Sequence, residues 1–461
     1  MTRDSLPRGT WLARLPAQGL HLEWPLLVVA APLLLFPGGW RTLGLLVVPL
    51  FFGLRWMRRK GLWEHSPLDP ALLLLAVMLL VSPYATYSID QSLPKIAGVL
   101  LGLLVFAAVV TNSPTQRTWQ LHLAGLLLAG VGVAGLGLIG SDWLDKSPLL
   151  TRLTAALPQK LLHLPGAAEG LHPNEVAGAL LWVTPMACAL AAVAVLGARS
   201  LARSLGRLRG AILLAALVTT AAFLVGVLIL TQSRGGWIAA ALVLPVLLLV
   251  LVQGKFRRAA VVVMAASVIV AAVWIALARP SALDASTTIP QQDPSSGMSL
   301  ETLSGRFEVW SRAIYGIQDF AFTGMGMNTF RRVVPVLYPL FSIDPTVDIG
   351  HAHNTFLQAA LDLGLPGLIA YLAIHISAFA MLITTWRGRG QLPFADALSR
   401  ALVLGLGGGL AAHLVYGLTD TVALGAKPGV LWWMLLGLVA SLYRGLTPQA
   451  VHRTPVPAAD A

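Results

Sequence analysis

His351-Ala-His-Asn-Thr-Phe-Leu-Gln-Ala-Ala-Leu-Asp-Leu-Gly-Leu-Pro-Gly367 joins a long polar segment to an apolar run. Two imidazoles two residues apart, His351 and His353, meet the start of a short helix expected over 354–363. Gly364, Pro366 and Gly367 interrupt that helix. From Leu368 to Trp386 the chain is almost wholly apolar, about the length that crosses a bilayer. The two histidines therefore fall where protein, water and lipid meet.

The composition extends this reading to the whole chain. Hydrophobic residues make up 56% of 461 and charged residues 11%, against about 25% charged in a soluble chain. Twelve apolar spans are expected, near 25–39, 41–54, 70–86, 93–111, 118–140, 174–197, 211–230, 235–252, 259–278, 368–386, 398–417 and 429–443. The fold class is all-α and polytopic. Its parts are an N-terminal membrane part (1–278), a large loop region with amphipathic and re-entrant helices (279–367), and a C-terminal membrane part with a tail (368–461). Neither an internal repeat nor a similarity between the two halves is visible, and no cleavable leader is expected. The single cysteine, Cys188, allows no internal disulfide and reads as a small packing residue.

Charge orients the spans. Arg55, Arg58, Arg59 and Lys60, Arg117, Arg199 to Arg209, Lys255 to Arg258, and Arg387 to Arg400 occupy alternate loops. Short loops rich in Lys and Arg stay cytoplasmic, so both termini are expected there. The net charge of +12 then records topology rather than a nucleic-acid partner. Three segments fall outside: 141–173, the junction 231–234, and 280–367. In the last, 281–299 is rich in Ser, Pro, Asp and Thr. Residues 304–320 predict an amphipathic helix with Phe307, Trp310, Ile314 and Ile317 on one face. Glu308 and Arg312 form an i,i+4 pair read as a solvated face. Gly324-Met325-Gly326-Met327-Asn328 predicts a turn, followed by a short helix carrying Arg331 and Arg332.

Few residues in such a chain can do chemistry. Arg234, in Thr-Gln-Ser-Arg-Gly-Gly-Trp, lies between two apolar runs with almost no loop. An arginine at the middle of a membrane helix costs about 2.5–3.5 kcal/mol. It either snorkels to headgroups or binds an anion, with Gly235 and Gly236 admitting a ligand close to the backbone. Arg306, Arg331 and Arg332 are outside, where positive charge is sparse, and a guanidinium matches phosphate oxygens in a bidentate way. His122, His375 and His413 lie in or beside apolar spans and read as packing or hydrogen-bonding groups. His351 and His353 lie outside at a helix start, where the dipole favours an uncharged ring, and an uncharged imidazole can take a proton. A metal pair is the competing reading. A metal site needs further ligands, and no cysteine or nearby carboxylate cluster accompanies the pair in sequence. No phosphate-binding glycine loop, nucleophile elbow or Asp-x-Asp pair is present.

Four stretches in order resemble the O-antigen ligase and O-antigen polymerase family of membrane glycosyltransferases. They are His-Pro-Asn-Glu-Val-Ala-Gly (172–178), Ser-Arg-Gly-Gly-Trp (233–237), Gly-Arg-Phe-Glu-Val-Trp followed by Thr-Gly-Met-Gly-Met-Asn-Thr-Phe (305–330), and His-Asn with a later Gly-x-x-Gly (353–367). Ile238 and Leu368 depart from the family's usual residues. The resemblance runs from His172 to Asp420. It implies a GT-C-like helical enzyme of the bacterial cytoplasmic membrane, acting on its outer face without metal or cofactor and inverting the anomeric centre. Its donor would be a glycan on undecaprenyl pyrophosphate, and its acceptor either a lipid A-core or another lipid-linked repeat. By matching motif, His353 is the base that deprotonates the acceptor, and Arg234 and Arg306 hold the pyrophosphate. His351, Arg331, Arg332 and Asn174 support them. Ligase, polymerase and protein-glycosylating relatives remain open at this point. The rival of a different class is a secondary transporter, which would usually carry internal repeats and mid-membrane ionisable groups.

Overall fold

A computed structural model describes residues 23–59, 64–141, 143, 148–157, 171–252, three residue pairs between 257 and 266, 303–341, 343 and 349–446. The expected span 259–278 (those pairs apart), the segment 281–299, both termini, Lys60 and Lys255 lie outside these residues. The helices are α1 (Glu23–Leu35), α2 (Val47–Arg59, after a 3-10 turn Gly39–Leu46), α3 (Asp69–Ala85), α4 (Ile89–Thr111), α5 (Gln116–Gly140) and α6 (Pro148–Thr154). Next come α7 (Pro173–Leu180), α8 (Thr184–Leu196), α9 (Ala198–Leu205), α10 (Arg207–Leu230) and α11 (Arg234–Leu251). The last are α12 (Leu303–Asp319), α13 (Phe330–Leu337), α14 (Thr355–Arg387), α15 (Asp396–Tyr416) and α16 (Val430–Leu446). Among the described residues there is no strand.

By length and composition, six of these helices can cross a membrane: α4, α5, α10, α11, α14 and α15. Counting α7 with α8 as one span makes seven. The expected single span 174–197 is in fact broken, with a bend of 47° between α7 and α8. Pro185 near the start of α8 explains the break: its ring disfavours helical backbone at the residue before it and removes an amide donor.

α4 is the centre of the bundle. It is buried on every side from Ile96 to Thr111, as its unbroken apolar run requires. Around it α16 packs on α4 and α5, α15 on α8 and α11, and α14 on α3, α12 and α16, so early and late helices form one body. Arg55 corrects the reading of a free loop charge. It is 1% exposed and donates to both carboxylate oxygens of Glu23 (2.8 Å), to Thr111 Oγ1 (3.0 Å) and to the Ala107 carbonyl (3.1 Å). This pair ties α1 and α2 to the far end of α4. Removing one partner of such a pair costs about 3–5 kcal/mol. The other histidines pack as read: His122 accepts from Trp24, while His375 and His413 each pair Nδ1 with a backbone carbonyl, Tyr371 and Gly178.

At the opposite end sits a second, smaller core made of Val309, Ala313, Met325, Phe330, Val334, Ile349, Ala352 and Leu361. It joins α12, α13 and the first turns of α14 into a cap. Here α12 contradicts the predicted face. Its buried stripe is Gly305, Val309, Ala313 and Gly316, while Phe307 is 62% exposed and Ile314 is also exposed. Small side chains bury because they let the helix lie close to α14. Nor is Glu308–Arg312 a solvated pair. The two are 3.5 Å apart and mostly covered, and they fasten the 339–341 segment through Pro339 O and the Phe341 amide.

α14 is interrupted at Gly364 (φ 70°), as the Gly-x-Pro-Gly signal predicts. A side chain there would lie 2.6 Å from the Phe322 carbonyl, so only glycine fits both the backbone and the space. The segment 355–363 is thereby detached in direction from the membrane-length helix that follows.

Candidate active site

His353 stands just before α14 and has φ 47°, a left-handed backbone rare for a side chain of this size. Neighbours hold it there. Its amide donates to His351 Nδ1 (3.2 Å), and its carbonyl accepts from the Trp310 indole of α12 (3.4 Å). Asn354 caps α14, accepting from the amides of Phe356 and Leu357 (both 3.0 Å), and its own amide donates to Leu418 O (3.1 Å). The Thr355 amide donates to Gly417 O (2.8 Å). The histidine segment is thus moored to 417–421, the chain that leaves α15.

That segment is where the site comes together. Asp420 Oδ1 faces His353 Nδ1 at 3.3 Å and accepts from the Thr421 amide at 2.9 Å. Its Oδ2 accepts from Asn174 Nδ2 at 2.9 Å and lies 3.6 Å from Arg306 Nη2. Arg306 also donates to the Thr419 carbonyl. Tyr416 reaches from the end of α15 to the Asn174 carbonyl (2.6 Å). Burial alone would raise the pKa of Asp420. The hydrogen bond from His353, the electrostatic influence of the two imidazoles and the Arg306 guanidinium outweigh burial and hold it well below the usual carboxylate range. Asp420 is therefore ionised at neutral pH. The histidine proton lies on Nδ1 toward it, and Nε2 is left as the proton acceptor. His351 is driven well below an ordinary imidazole by burial, reinforced by His353, His172 and Lys95 against Asp420. It is neutral, and its Nδ1 is used to receive the His353 amide.

Arg234 is the first residue of α11, whose N-cap is Ser233. Gly235 lies against the 416–419 segment, where a side chain would come within 2.7 Å of Thr419 Oγ1. The start of α11 thus packs on the segment that Arg306 reaches from α12, and the Arg234 side chain itself is exposed. Arg331 lies beside the histidine loop, its Nη2 3.1 Å from where a Gly350 Cβ would be. Arg332 is exposed, with no contact to these side chains among those described. Of the residues expected from sequence, His353, Arg306 and Asn174 share one carboxylate, Arg234, His351 and Arg331 adjoin them, and Arg332 stands apart.

Asp420 itself was not singled out in the sequence. It also removes one argument against a metal, the want of a nearby carboxylate: His351, His353 and Asp420 bring their ligand atoms within 4.8 Å of one another. The donor set still suits a cation poorly. His351 Nδ1 is committed to the His353 amide, both Asp420 oxygens accept from protein donors, and a guanidinium occupies the neighbouring position.

Residues 219–372 match a family model described as O-antigen ligase. That stretch, about a third of the chain, is similar to the O-antigen ligase family. The matched segment holds Arg234, Arg306, His351 and His353, whereas Asn174 and Asp420 lie outside it. Curated proteins give no significant match.

Proposed function

We propose that the protein transfers a glycan from a polyprenyl pyrophosphate to a sugar hydroxyl on the outer face of the bacterial cytoplasmic membrane. The observation that carries this is the junction of a His–carboxylate pair with Arg306 at Thr419 and Asp420, with the start of α11, which bears Arg234, packed on the same segment. The acceptor hydroxyl gives its proton to His353 Nε2 while its oxygen attacks the anomeric carbon. The bond from that carbon to the pyrophosphate oxygen breaks on the opposite face, inverting the centre. Asp420 steadies the imidazolium that forms. Arg234 and Arg306 stabilise the departing pyrophosphate, and His351 fixes the His353 backbone. A positioned base contributes roughly 10²–10⁴-fold, and preorganised cations at a leaving group are usually the larger electrostatic contribution. A His–carboxylate pair joined to Arg306 at one end of a helix bundle, away from Arg387, Arg389 and Arg400 at the other end of α14 and the start of α15, favours transfer over transport through the middle.

Purified protein, given a polyprenyl-pyrophosphate glycan and either a lipid A-core or a second lipid-linked repeat, tests the reading. Single transfer identifies a ligase and chain growth a polymerase. His353→Ala is expected to abolish both while the protein keeps its melting temperature. Transfer by that variant at the wild-type rate would remove the base assignment.

A further inference from the structure

Lys95 is a cation that the mechanism above does not use. It sits in the first turns of α4, in Ser-Leu-Pro-Lys, and two sets of contacts bring its backbone to the site. On one side the loop after Asp420 closes against it: a Cβ on Gly425 would lie 1.9 Å from the Lys95 carbonyl oxygen. On the other side, the turn 324–328 grips the start of α4. Ser92 Oγ donates to Met327 O (2.6 Å) and Asn328 Nδ2 to Gln91 O (2.9 Å). The Asn328 amide donates to Asp362 in the half-helix that follows His353 (3.2 Å). Lys95 therefore lies at the seam of α4, the cap, the start of α14 and the 420–425 loop.

Its side chain is half-buried and makes no hydrogen bond or ion pair within the described residues. Its charge is felt by His351, Asp362 and Lys427. The acids nearby are engaged or shared. Asp420 serves His353, Asn174 and Arg306. Asp362 accepts from Gln358 Nε2 (2.9 Å) and the Asn328 amide. Glu175 faces Lys427, whose ammonium also lies over the Phe36 ring at 4.4 Å. Burial first, and then Lys95, lowers the pKa of Lys427 despite Glu175. Among the described residues the three donors of the Lys95 ammonium have no protein acceptor, so they remain available to a ligand. A half-buried ammonium with free donors is placed to meet an arriving anion.

We propose that Lys95 is a further anion-binding residue of this site and that its ammonium contacts a phosphate group of a substrate. The inference rests on the glycosyl-transfer reading for the identity of that substrate. The phosphate belongs either to the donor pyrophosphate or to an acceptor that carries phosphate, and the chemistry of recognition is the same.

The test uses the full chain in detergent, with inorganic pyrophosphate and geranyl pyrophosphate as probes, on wild type, Lys95→Met and Lys95→Arg. Loss of one charge-assisted contact weakens binding by about tenfold or more. Lys95→Met is expected to lose that much affinity for geranyl pyrophosphate, with Lys95→Arg recovering most of it and both variants melting like wild type. If diphosphate binding is unchanged but KM rises for a phosphorylated acceptor and not for its dephosphorylated form, the acceptor supplies the phosphate. Unchanged probe binding together with unchanged KM for both substrates would overturn the proposal. A wild-type protein that binds pyrophosphate yet transfers no glycan would refute the transfer reading, and the Lys95 comparison would still decide the proposal.

Discussion

Replacing Asp420 with Asn tests the site at the point where four donors meet. Oδ1 serves His353 and the Thr421 amide, and Oδ2 serves Asn174 and Arg306. An amide offers one oxygen in place of two. If its NH2 replaces Oδ2, it confronts the Asn174 amide and a guanidinium. If it replaces Oδ1, it confronts the Thr421 N–H and forces the histidine proton onto Nε2, so that the base can no longer accept. Losing the base function lowers the rate by roughly 10²–10⁴-fold. Leaving Arg306 without its anion destabilises by about 3–5 kcal/mol if the site stays dry, less if water enters. The assay is glycan transfer at saturating donor, paired with a thermal melt. The expected result is a fall in kcat of at least about 10²-fold in protein that still folds. A kcat near that of wild type would refute the claim that Asp420 sets the state of His353.

Arg234→Ala is expected to raise the apparent donor KM by roughly tenfold or more, as loss of a charge-assisted contact implies, and to leave the acceptor KM unchanged; an unaltered donor KM would remove its phosphate role. Stability should fall on acidification through His351. Its folded-state pKa lies well below 6.5, so the unfolded chain takes up the proton first, and stability rises with pH in that window and is lost as pH drops below about 6.5. Melts between pH 7.5 and 5 in wild type and His351→Asn check this, the variant lacking a slope of up to about 1.4 kcal/mol per pH unit. Gly364→Ala combines a left-handed backbone with a Cβ 2.6 Å from Phe322 O and should destabilise by roughly 2–5 kcal/mol, seen as a lower melting temperature; a neutral melt would mean that the break is not fixed there.

The helical fold was legible because lipid imposes long apolar runs, and those runs set the ends of α10, α11 and α15 and the C-terminal end of α14 to within a few residues. The break at Gly364 was legible because glycine and proline punctuate the backbone locally. Arg234, Arg306 and His353 stood out because charge is scarce in such a chain. Asp420 did not stand out. A single acid after an apolar span has no local signature, and its partners Asn174 and His353 are 246 and 67 residues away. The α12 face was misread for a related reason. Periodicity identifies large apolar residues, but close helix approach buries small ones, so Val309 and Ala313 went inside while Phe307 stayed out. The covering of Glu308 and Arg312 likewise depends on the 339–341 segment folding back, which spacing along one helix does not reveal.

The order in which the chain is made gives the carboxylate of Asp420 a second meaning. A ribosome delivering this protein to the membrane completes the arginines and the histidine while α15 is still to come, and a nascent chain in that state holds the proposed base without the carboxylate that faces it. The last two long helices have to insert before His353 acquires its partner, so competence arrives late in synthesis and a chain stalled before Asp420 should be inert.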